Sequence, residues 1–177
     1  MVPQELGEVR EDLEALFADV LSGVLNEEAE GIATGTEPDA DLDGAVGALL
    51  AINDETDDTY LGVQVRVSTM LARLLAARMM ACADPGRDDL LDAVGELGNI
   101  AGGNVKSLLF TSARLSLPSA TLETAGLPAA REGAAAPTVI RALVLGEAAE
   151  LALVPHVDGD GVLWPPSVRP ELQEAQS

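Results

Sequence analysis

Residues 92–109, DAVGELGNIAGGNVKSLL, combine helical spacing with four glycines, and few folds can accommodate that conflict. A glycine inside a helix is less favourable than alanine by roughly 0.8–1 kcal/mol, so tertiary structure must offset the cost. Winding the segment at about 100° per residue places Val94, Leu97, Ala101, Val105 and Leu108 on one core-facing stripe. Asp92, Glu96, Asn99 and Gly103 fall on the opposite stripe, and Gly95, Gly98 and Gly102 line one flank. The pattern predicts a long helix from Asp88 to about Phe110 with its polar stripe in solvent. The glycine flank fits close approach to another backbone, while the bare Gly103 leaves room beside Asn99.

Around this helix the periodicity alternates between 3.6 and 2. Val9, Leu13, Leu16, Val20 and Val24 define a first amphipathic helix from Glu5 to about Asn26. An apolar run from Ala45 to Ile52 reads as a strand, and Leu61, Val63, Val65 and Val67 alternate as a second, the two suited to a hairpin. TMLARLLAARMMA returns to helical spacing and stops before the DPG at 84–86. Downstream, RLSLP and a weak alternation in SATLETAG precede a loop, and TVIRALVLG and AELALVPHV read as further strands, followed by a DGDG turn at 158–161. Two to three helices packed against a mostly antiparallel sheet define an α+β domain over residues 1–163. The Pro-rich tail 164–177 is expected to be disordered.

The chain has 177 residues, 47% of them hydrophobic, enough for a substantial core. Thirty acidic against ten basic residues give a net charge of −20, which repels phosphate backbones and anionic lipid and argues against nucleic-acid and membrane partners. A partner with a basic face suits it better. Cys82 is the sole cysteine, so no intrachain disulfide forms. With neither a signal-peptide pattern at the N-terminus nor an apolar run of about 18 residues, the expected location is the cytoplasm.

Several motifs fail on their own chemistry. DADLDG, Asp39 to Gly44, copies the opening of a calcium loop, but the position needing a bidentate glutamate is Leu50. NDETDD, Asn53 to Asp58, reads as a charged hairpin tip. His156 is the only histidine, which rules out multi-histidine metal sites. AGGN at 101–104 lacks the lysine of a phosphate-binding loop and lies within a helix. No metal site or bound cofactor is therefore expected. The Asp92–Glu96–Asn99 stripe remains. It reads either as a solvated helix face or as a working surface; asparagine is a poor interior helix former, yet Asn99 and Asn104 both occur here beside the glycines, which favours the working surface.

ELGNIAGGNVKSLL followed by LSLP resembles the CheX, CheC and FliY phosphatases of bacterial chemotaxis, CheX most closely. The family signature, an Asp or Ser, then Glu four residues on and Asn three beyond, followed by Gly and a second Asn, matches Asp92, Glu96, Asn99, Gly103 and Asn104. Leu115, Leu117 and Pro118 match the strand that follows the helix, Gly126 fits a glycine shortly after it, and the strand near Gly44 is also family-like. The likeness covers roughly residues 42–126. The first helix carries no second copy of the signature, which implies one site per chain and the homodimer of CheX.

The resemblance implies a protein phosphatase acting on the aspartyl phosphate of a response-regulator receiver domain. The receiver supplies the acyl phosphate, a bound Mg²⁺ and a lysine, leaving an attacking water to be positioned. Asn99 would hold that water, Glu96 would pair with the receiver's lysine, and Asp92 and Gly103 would contact the partner. The alternative is a non-catalytic adaptor of the same fold that binds a response regulator or a flagellar or signalling partner.

Overall fold

A computed structural model of the chain describes residues 5–27, 29–32, 42, 44–54, 59–122 and 136–156. Helices α1 (Glu5–Glu8) and α2 (Arg10–Leu25) are followed by strands β1 (Ala29–Ile32), β2 (Val46–Asp54) and β3 (Thr59–Val67). Then come α3 (Thr69–Met79), α4 (Arg87–Leu109), β4 (Ala113–Leu115), β5 (Ser119–Thr121), β6 (Thr138–Val144) and β7 (Glu147–His156). The strands form one antiparallel sheet in the order β1-β6-β7-β3-β2-β4, with β5 also on β2. This is the expected α+β architecture.

The expected hairpin is present: β2 and β3 pair from Val46–Val67 to Asp54–Thr59. Period-two alternation sends Ala48, Leu50 and Ile52 of β2 and Val63, Val65 and Val67 of β3 into one core with α2, α3 and α4. Helix α3 starts where Ser68 Oγ accepts from the Leu71 N–H at 3.1 Å. Helix α4 starts at Gly86, whose N–H donates to Asp89 Oδ2 at 2.7 Å. Asp88 and Asp89 in its first turn and Lys106 in its last complement the helix dipole.

Three expectations are corrected. The single first helix is two pieces, interrupted at Val9, although the Leu13 N–H still donates to Val9 O at 2.9 Å. Strand β1 lies between the first helix and the Ala45–Ile52 run, where the sequence pattern predicts no strand; its backbone pairs with β6, a long-range partner that local pattern does not announce. In α4, Leu109 is buried and Leu108 is 39% exposed, so the apolar stripe ends one residue later than its spacing indicates. The domain end at 163, the tail 164–177, Gly126, the turn at 158–161 and most of the acidic stretches 39–44 and 55–58 lie outside the described residues.

Candidate functional site

Helix α4 is pressed onto β2 by its glycine flank. A β-carbon on Gly98 would stand 2.9 Å from Ala48 Cβ, and one on Gly102 would stand 2.6 Å from Leu50 Cδ1 and 3.3 Å from Leu115 Cδ1. Gly95 faces Ala120 and Pro118 at 3.8 and 4.0 Å by the same measure. Three of the four glycines thus serve the contact with the sheet, and what they meet is side chains, where the sequence pointed to a neighbouring backbone. Only Gly103 belongs to the open side, with nothing within 4 Å of its would-be β-carbon.

The opposite side of α4 carries the polar stripe as expected. Asp92, Glu96 and Asn99 are exposed and Gly103 is half-buried. Among the described residues, none of these three side chains has a hydrogen-bond or ion-pair partner. Asp92 and Glu96 are four residues apart on one helix, a like-charge arrangement that costs a few tenths of a kcal/mol. The two asparagines differ: Asn104 Nδ2 donates to Ile100 O at 2.9 Å and is engaged with its own helix, whereas the Asn99 amide remains available. Ser107 Oγ likewise donates to Gly103 O at 3.0 Å. What the stripe presents is an amide able to donate and accept, one helical turn from a carboxylate, on a helix held rigidly from below.

Two features flank the stripe. On one side a groove of about 700 Å³ runs between α2 and α4, floored by Leu16, Val20, Val24 and Ile100 and edged by Asp12 and Asp19. On the other, the β4–β5 edge carries Leu117, which is 88% exposed. The sequence reading singled out neither as a surface, because each depends on which distant elements lie side by side. Among the described residues no group of three or more His, Cys, Asp or Glu is placed to hold a metal ion. No helix among them is long and apolar enough to cross a membrane. Gly44, at the end of the calcium-loop look-alike, has a φ of +73°.

An antiparallel sheet backed by packed helices is also the architecture of solved CheX chemotaxis proteins. The family described as chemotaxis phosphatase CheX matches residues 49–141, and the chain belongs to it. No curated protein sequence matches the chain. Among solved structures, CheX from Vibrio vulnificus matches with a TM-score of 0.66 at 17% identity, over 81% of this chain and 96% of that one. CheX from Desulfovibrio desulfuricans matches with a TM-score of 0.66 at 15% identity, over 84% and 99%. CheX from Borrelia burgdorferi, solved in complex with CheY, BeF₃ and Mg²⁺, matches with a TM-score of 0.57 at 14% identity, over 81% and 97%. At these identities the likeness is one of fold.

Proposed function

We propose that this chain hydrolyses the aspartyl phosphate of a CheY-like receiver domain in the cytoplasm, with Asn99 positioning the attacking water and Glu96 seating the receiver. The observation that carries this reading is the Asn99 amide, exposed and unengaged among the described residues, one turn from Glu96 on a helix locked to the sheet. Family membership and the Borrelia CheX complex with CheY support it.

In this reading the receiver contributes the electrophile, its Mg²⁺ and a lysine, and the chain itself binds no metal. Asn99 Oδ1 accepts a hydrogen bond from the water and aims its lone pair at phosphorus. The water oxygen forms the new P–O bond as the bond to the aspartate oxygen breaks. The leaving aspartate keeps the electron pair, and the water's proton passes to solvent or to the released phosphate. Because an amide positions without strongly accepting a proton, the gain comes from orientation. Glu96 pairs with the receiver's lysine through a charge-assisted hydrogen bond. Asp92 sits at the edge of the patch, and Gly103 admits the partner's loops. A homodimer that leaves α4 open is compatible with this arrangement.

The test is release of inorganic phosphate from phosphorylated receiver domains of the same organism, with the wild-type chain, Asn99→Ala and Glu96→Ala. Acceleration by the wild type that falls by about a hundredfold in Asn99→Ala, with folding and binding retained, supports the reading. Glu96→Ala is expected to weaken binding. Measurable receiver binding without acceleration by the wild type would make the chain an adaptor.

A further inference from the structure

An exposed leucine alone carries no information, but Leu117 is held in place by an irregularity of the sheet edge. On β4, Leu115 pairs with Ile52, and on β5, Ser119 pairs with Leu49. Between these pairs β2 has two residues, Leu50 and Ala51, whereas the edge has three, Ser116, Leu117 and Pro118. The extra residue makes a bulge, the device that re-aims a side chain out of the sheet pattern. Ser116 fixes it: its N–H donates to Ala51 O at 2.9 Å, and its Oγ accepts from the Ala51 N–H at 2.9 Å. The same hydroxyl lies 3.2 Å from Leu117 O, to which it donates. Pro118 has no N–H to leave unpaired there.

The bulge stands alongside the polar stripe. Leu115 packs toward Gly102 and Pro118 toward Gly95, seven helix residues apart, a rise of about 10 Å. In the chain Leu117 lies between those two contacts, which span the stretch of α4 that carries Gly98 and Asn99. Leu108, on the other flank, is nine residues beyond Asn99, about 13 Å along the axis. The stripe between the flanks is polar and charged, so it supplies orientation and little apolar burial.

We propose that Leu117 is the apolar anchor by which this chain holds its receiver domain, inserting beside the receiver's active site while Asn99 and Glu96 enter it. The inference rests on the proposed phosphatase reading. Its occupant is the receiver because the bulge is continuous with the face that must meet the phosphorylated aspartate. Binding energy at an interface is concentrated in a few fully desolvated side chains, and burying the exposed Leu117 would add the apolar contribution that the charged stripe lacks.

The experiment compares wild type, Leu117→Ser, Leu117→Met and Leu108→Ser against the organism's receiver domains loaded with BeF₃ and Mg²⁺. It measures Kd, and KM and kcat with the phosphorylated receiver. Leu117→Ser is expected to raise Kd and KM about tenfold or more with kcat at saturation nearly unchanged, and Leu117→Met to restore most of the affinity. The thermal midpoint should not move, since the side chain is solvent-exposed. Unchanged Kd and KM in Leu117→Ser would overturn the anchor, as would an effect confined to Leu108→Ser, which would place it in the α2–α4 groove. A change in oligomer mass with receiver affinity per protomer unchanged would also overturn it and make the bulge a self-association surface. If the wild type bound none of the receivers, the phosphatase reading would fall first, and the anchor with it.

Discussion

Gly102 of α4 and Leu50 of β2 are in direct contact: a β-carbon on the glycine would stand 2.6 Å from Leu50 Cδ1 and 3.1 Å from Cδ2. Leu50 is itself fully buried, and Leu115 Cδ1 lies 3.3 Å from the same would-be β-carbon. Room for a methyl group on Gly102 would require this buried leucine to shift against the core around it. With Gly98 over Ala48, this contact sets how deeply α4 sits on the sheet and so how high the polar stripe stands above it. The helix gives up propensity here for close packing beneath the site.

Gly102→Ala follows as the first prediction. Alanine would gain about 0.8–1 kcal/mol of helix propensity, but overpacking a filled core costs about 1–3 kcal/mol. With three carbons inside the crowding range, the second term wins. A net loss of about 1 kcal/mol or more is expected, read as a lower urea midpoint at constant m-value. A gain in stability would show that Leu50 relaxes freely.

On the sheet face away from the helices, Glu150 binds two arginines. Its Oε1 is 3.2 Å from Arg66 Nη1 and its Oε2 is 3.3 Å from Arg141 Nε, and both Glu150 and Arg66 are buried. Arg66 Nη2 further donates to Leu42 O at 3.2 Å. Glu150→Ala would leave the buried Arg66 guanidinium without its carboxylate, at a cost of about 3–5 kcal/mol. Glu150→Gln, which keeps an acceptor, should cost less. Urea unfolding of both variants checks the order, and equal midpoints for the two would mean that the neutral acceptor contributes nothing and that the whole loss is that of the charge.

The hairpin and the helices were legible because they repeat an apolar residue at a fixed interval; Leu61, Val63, Val65 and Val67 are all buried as their alternation requires. The same alternation marks Gln64 and Arg66 as solvent-facing, yet both are buried. Arg66 meets Glu150 across 84 residues of chain, and no local spacing encodes such a pair. The bulge at Ser116–Pro118 is hidden for the same reason, since it exists only in register with β2. The Asp92–Glu96–Asn99 stripe was legible because one helix carries all of it. Its glycines were only half legible: the sequence shows that their cost must be offset, but only the packing tells Gly102, under compression, from Gly103, in open space.

That difference yields the last prediction, which separates stability from activity. Gly103 has nothing within 4 Å of a would-be β-carbon and lies inside a regular helix, so Gly103→Ala meets no clash in the isolated chain. Helix propensity alone should then stabilise the protein by up to about 1 kcal/mol. In the proposed complex that methyl group projects into the space reserved for the receiver's loops, next to Asn99. The variant should therefore unfold at a higher urea concentration and yet show a higher KM for the phosphorylated receiver, with larger side chains at 103 extending the trend. Such opposition is what a residue kept for its partner produces. If Gly103→Ala were stabilising and fully active, the space above Gly103 would have no part in docking, and contact with the receiver would be confined to the Asp92–Asn99 half of the stripe.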